Sequence, residues 1–109
     1  MPIANCVITP NCRPVELNLI ELWAAESGYS KDHMTINIIT SAEQLGNVYS
    51  VMGTLWLPSL WSKESISSLQ LGLAKALAEK YSLSLNDVHV MTHLVQSGFV
   101  VESGVEVNW

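Results

Sequence analysis

The same order of patterns, strand then helix then strand, occurs twice along this chain, and that duplication constrains the fold more than any other feature. In the first half, residues 2–9 (PIANCVIT) read as a buried strand, with Ile3 and Val7 among small residues. Pro10, Asn11 and Pro14 break it. Val15 to Ser27 then follows a helical period, with Val15, Leu19, Leu22 and Trp23 on one face and Gly28 suited to the cap. Residues 34–40 (MTINIIT) are β-branched and read as the second strand. Ser41 to Asn47 connects the halves as a turn or short helix. In the second half, residues 48–57 (VYSVMGTLWL) form a strand stopped by Pro58. Ser62 and Glu64 suit a helix start. Ile66, Leu69, Leu73, Ala76, Leu77 and Tyr81 give an amphipathic helix, and residues 87–95 (DVHVMTHLV) a fourth strand.

The halves match weakly at a separation of 52: Tyr29-Ser30 with Tyr81-Ser82, and Ile36-Asn37-Ile38 with Val88-His89-Val90. A crossover between parallel strands of one sheet is right-handed. Two such units predict an α+β fold, duplicated β-α-β units in a four-stranded mixed sheet with two helices on one face. The tail, residues 97–109, holds two short apolar runs around Ser103-Gly104 and predicts short C-terminal strands. A single domain is expected over 1–109, with pseudo-repeats at about 2–46 and 47–96.

With 49% hydrophobic and 14% charged residues, the chain is charge-poor, since about a quarter is usual. A domain this small has little interior for its surface. The surplus apolar surface predicts an obligate oligomer. An apolar open sheet face and parts of Trp23, Trp56, Trp61 and Trp109 would lie at the contacts. A net charge of −5 with five basic residues leaves no footprint for nucleic acid. The apolar stretches fall far short of the ~20 residues that span a membrane. No signal-peptide pattern opens the chain, so a cytoplasmic location is expected. Cys6 and Cys12 lack metal-ligand spacing and read as two reduced thiols, with Cys6 buried in its strand.

The chain opens Met1-Pro2. Methionine aminopeptidase normally removes Met1 ahead of a small residue or proline, which would expose a secondary amine at Pro2. An α-amino group titrates near ~8 and an apolar setting lowers that value. Such an amine can serve as general base or nucleophile at neutral pH.

A proline heading the first strand, the opening Pro2-Ile3-Ala4, Arg13 about ten residues on, a duplicated β-α-β unit and the Gly98-Phe99 pair after the last strand together resemble the tautomerase superfamily. The length resembles its two-unit members: macrophage migration inhibitory factor, the 5-carboxymethyl-2-hydroxymuconate isomerases and the malonate semialdehyde decarboxylases. The resemblance implies a tautomerase/MIF-like homotrimer, needing no cofactor or metal and acting on a small carboxylate. It implies keto–enol tautomerisation of an α-keto (enol) acid with Pro2 as base. Arg13, the single arginine, would hold the substrate carboxylate. The family's second arginine falls at His89, a departure that disfavours a dicarboxylate. His89 and His93 share a strand face, and one of them would donate to substrate. Lys31 stands near the place of a pocket lysine, Asn37 is the first-half counterpart of His89, and Phe99 would wall the pocket. Tyr49 and Tyr81 are further hydroxyl candidates that no spacing selects. Hydratase or decarboxylase chemistry would need acidic residues near the proline, which the sequence places mostly on helices or in the tail. A third alternative is a trimer that keeps the fold without activity. The tail to Trp109 is expected to pack across a subunit boundary.

Overall fold

A computed structural model describes residues Met1–Trp109. The elements run β1 (Ile3–Ile8), α1 (Leu19–Ser27), β2 (Thr35–Thr40), β3 (Val51–Pro58), α2 (Lys63–Lys80), β4 (Val88–Val95), β5 (Val100–Glu102) and β6 (Val105–Val107). Single 3-10 turns, Lys31–His33 and Leu85–Asp87, lead into β2 and β4. The pairs β1–β2 and β3–β4 are parallel and β1–β3 is antiparallel, so the sheet order is β2-β1-β3-β4. This is the mixed sheet expected from two β-α-β units. The tail forms the expected hairpin, β5 on β6, as a separate sheet.

Side-chain alternation divides the sheet into two faces. Ala4, Cys6 and Ile8 of β1 and Val51, Leu55 and Leu57 of β3 are buried toward the helices. Trp23 of α1, Leu69, Leu73, Ala76 and Leu77 of α2, and Tyr81 complete that core. Trp23 is wholly enclosed, and its indole Nε1 donates to the Leu69 carbonyl at 3.0 Å. That bond satisfies the one polar atom the ring takes out of water. Trp23 is therefore core, and the expectation that it lies at a contact between copies is corrected. The helices meet closely at Gly72, where a Cβ would come 2.9 Å from the Ser27 nitrogen.

The other face carries three rows across the strands. These are Thr35–Ile3–Trp56–His93, Asn37–Asn5–Thr54–Met91 and Ile39–Val7–Met52–His89. Polar and apolar residues share this face, which the sequence predicted to be apolar.

Three boundaries differ from the sequence reading. Helix α1 starts at Leu19 rather than Val15. Val15 donates its N–H to the Lys80 carbonyl, and the Lys80 ammonium donates to the Val15 and Leu17 carbonyls at 2.8 and 2.5 Å. These bonds tie residues 15–17 to the end of α2, and Asn18 becomes the cap, accepting from the Glu21 N–H. Strand β3 starts at Val51 rather than 48, because the Gln44 amide bonds both backbone groups of Tyr49, which a ladder would otherwise use. Residues 41–47 form turns and no helix. Gly28 and Ser62 cap α1 and α2 as expected, Gly28 at φ 78 in the left-handed region where a Cβ is unfavourable.

The repeat also has a different offset. Ser30 caps the first 3-10 turn through the Asp32 N–H, and Ser84 caps the second through the Asn86 N–H. The equivalence is Ser30 to Ser84, a separation of 54 (84 − 30) rather than 52. A slip of two keeps every residue on its face, because the strand period is two. It does make Thr35, rather than Asn37, the first-half counterpart of His89. No helix is long and apolar enough to cross a membrane.

Candidate functional site

Pro2 is buried, and its carbonyl accepts the Thr35 N–H at 3.0 Å. That bond pins the head of β1 to the head of β2. Strand directions bring the starts of β1 and β2 together with the ends of β3 and β4. A cavity of about 300 Å³ opens there. Met1, Ile3, Pro58 and Leu60 line one part of it. Val100, Val101, Glu102 and Val107 of the β5–β6 hairpin, with Trp109, line the rest.

Trp109 anchors that hairpin to its own chain. Its backbone N–H donates to Ser97 Oγ at 2.7 Å and its indole N–H to Ser59 Oγ at 3.2 Å. Glu102 is the one ionisable side chain in the lining. A second cavity, about 380 Å³, lies at the opposite end, between residues 14–18 and Lys80. The Lys80 ammonium there is already committed to two backbone carbonyls, which leaves Glu16 as the free ionisable side chain of that lining.

The sequence-predicted residues do not all gather at Pro2. Arg13 is exposed in the segment after β1, at the far end of a six-residue strand that spans about 20 Å. Within one chain Pro2 and Arg13 cannot hold the same small ligand. His89 lies in the row of Val7, toward that same far end, and its ring packs on Tyr49 with centroids 4.7 Å apart. His93 lies in the row of Ile3, next to Pro2, stacked on Trp56 at 4.6 Å. Asn37 sits mid-face and donates from Nδ2 to Asn5 Oδ1 at 2.8 Å. Lys31 enters from the Pro2 end but turns to α1, with its ammonium 3.2 Å from a Glu21 carboxylate oxygen. Phe99 is 75% exposed and does not line the cavity within the chain.

Leu60, Glu102 and Trp109 were not picked out from sequence as lining this cavity. Leu60 follows the strand-ending Pro58, and Glu102 and Trp109 belong to the tail. Only the way the hairpin folds back brings them to Pro2. Tyr81, one of the hydroxyl candidates, is buried in the helix-side core, away from this cavity. There burial, then the neighbouring Cys6 and Cys12, push its hydroxyl above the usual range. Burial pushes the Cys6 thiol up to about 12, so it stays a neutral thiol and no nucleophile at physiological pH.

No family model and no curated protein matches the sequence. Solved structures match the fold. A fused 4-OT wild-type symmetric trimer is 16% identical, with a TM-score of 0.75 over 96% of this chain and 95% of its own. The macrophage migration inhibitory factor of Oncomelania hupensis is 13% identical, with a TM-score of 0.71 over 99% of this chain and 83% of its own. N1, a member of the cis-3-chloroacrylic acid dehalogenase family, is 11% identical, with a TM-score of 0.74 over 97% and 83%. The chain has the fold of the tautomerase superfamily.

Proposed function

We propose that this chain is a keto–enol tautomerase of that superfamily, working as a homotrimer on a small α-keto (enol) carboxylic acid. The observation that carries the reading is Pro2, buried at the head of β1 beside a largely apolar cavity. While Met1 is attached, the Pro2 nitrogen is an amide without a basic lone pair. Release of Met1 turns it into a secondary amine beside the cavity that Ile3, Leu60, Val100 and Val107 line. Apolar walls disfavour the ammonium form, which keeps the amine basic and uncharged near neutral pH. The amine takes the enol proton and returns it to carbon along the conjugated system.

The enolate charge that develops needs a cation. Arg13 is the candidate, and its distance along β1 means it is supplied by a second copy. The fused 4-OT neighbour is a symmetric trimer, which supports that assembly. Asn37 and His89 stand on the open sheet face and reach a ligand only where copies meet. Lys31 would have to leave Glu21, an exposed pair of about 0–1 kcal/mol. Phe99 would wall the site of an adjacent copy.

One observation favours a second reading. Glu102 places a carboxylate in the cavity of Pro2, where the sequence suggested acids were scarce. A carboxylate there can activate water beside a protonated proline, as hydration chemistry requires.

The test is ketonisation of phenylenolpyruvate by protein whose mass shows Met1 absent, with Pro2→Ala alongside. Turnover in the wild type that collapses in the variant supports the proline base. No turnover in the Met-free wild type refutes it. Hydration of cis-3-chloroacrylate, lost in both Pro2→Ala and Glu102→Gln, would install the second reading instead.

A further inference from the structure

The cavity beside Pro2 combines apolar walls with one carboxylate side chain. Glu102 sits in β5 opposite Val105, on a hairpin whose other charged residue is Glu106. Residues 96–109 contain no base. The chain's one ion pair, Lys31 with Glu21, lies elsewhere, so no cation within the chain neutralises Glu102. The N-terminal amine shares the cavity but forms no ion pair with it. A ligand that fills this space beside Pro2 meets valine and leucine walls and the Glu102 carboxylate.

Resting on the tautomerase reading above, we propose that Glu102 is a specificity residue. It directs the site to α-keto acids that carry a single carboxylate and, where the molecule meets Glu102, an ammonium or another hydrogen-bond donor. A second carboxylate beside Glu102 would face a like charge across the cavity. An ammonium gains by the same geometry. The apolar walls take the middle of the molecule. Glu102 is well suited to this role because it is not part of the main sheet. Strand β5 pairs only with β6, so changing this side chain leaves the four-stranded ladder and the helix-side core untouched.

The experiment is calorimetric titration of Met1-free protein near neutral pH with three inert probes: 3-phenylpropanoate, its para-carboxyl analogue and its para-aminomethyl analogue. Wild type, Glu102→Gln and Glu102→Lys are compared. In the wild type the aminomethyl probe binds about tenfold or more tighter than the carboxyl probe, a difference of about 1.4 kcal/mol. In Glu102→Gln the two converge to within about twofold, and in Glu102→Lys the order inverts. An unchanged spread in Glu102→Gln overturns the proposal, as does a failure of all three probes to bind the wild type. Binding is read without turnover. A protein inactive on phenylenolpyruvate that still ranks the probes in this order would refute the proline base and leave the specificity assignment standing.

Discussion

Replacing Gly72 by alanine sets two effects of comparable size against each other, and the structure decides the sign. Gly72 lies inside α2, where alanine is the better helix former by about 1 kcal/mol. On propensity alone the substitution stabilises. A Cβ at this position, however, would stand 2.9 Å from the Ser27 nitrogen, 3.0 Å from the Ser27 Cα and 3.1 Å from the Glu26 carbonyl carbon. All three atoms are backbone, so no rotamer change relieves the contact. Helix α1 must retreat by several tenths of an ångström, and Trp23 rides on it. The retreat strains the 3.0 Å bond from Trp23 to the Leu69 carbonyl and loosens the largest side chain of the core. Overpacking of this kind costs about 1–3 kcal/mol, and three backbone contacts put Gly72 at the upper end. The expected net loss is about 2 kcal/mol once the helix gain is subtracted. Urea unfolding at one fixed protein concentration reads it, because the proposed assembly would make stability concentration-dependent. Ser68→Ala, exposed on the same helix, serves as the control and gains a few tenths of a kcal/mol. If Gly72→Ala matches or exceeds wild-type stability while the control behaves, the close crossing of α1 and α2 is wrong.

The neutral Cys6 thiol makes the protein sensitive to alkali. Its pKa rises from 9.0 to about 12 on folding, so the unfolded chain loses the proton first. Stability from this group is whole below pH 9 and falls by about 1.4 kcal/mol per pH unit as pH rises toward 12. Cys6→Ala should flatten that fall in urea midpoints measured from pH 8 to 11, leaving the smaller decline that Tyr81 contributes above its ordinary value. An equal slope in the variant would exclude Cys6 as the cause. Ser62→Ala removes the acceptor for the Ser65 N–H at the start of α2 and is expected to cost about 1 kcal/mol, while Ser62→Gly costs a few tenths. Equal losses for both variants would show that the cap bond contributes nothing.

The elements of this fold were legible because each is dictated locally. The β-branched runs at 34–40 and 87–95, the apolar period of 66–81 and the caps Gly28 and Ser62 specify strands, helix and ends through contacts within a few residues. The misreadings share a cause. The start of α1 depends on Lys80, more than sixty positions away, and the start of β3 on the Gln44 side chain. No local period encodes either bond. The repeat offset was read two residues short because strand parity tolerates an even slip.

For the candidate site, sequence supplied Pro2 as the proposed base, because the secondary amine that release of Met1 would expose needs only its position in the chain. Sequence also gave the alternation that puts Asn37, His89 and His93 on one sheet face, since strand geometry is local. Only the tertiary structure decided which of these stand near Pro2. A parallel–antiparallel–parallel sheet sends β1 and β4 in opposite directions, so His93, not His89, lies at the proline's end of the sheet and Arg13 lies a strand length away. It also folded the tail back through Trp109, setting Glu102 in the cavity. Those placements depend on strand direction and on long-range hydrogen bonds, which pattern along the chain does not record.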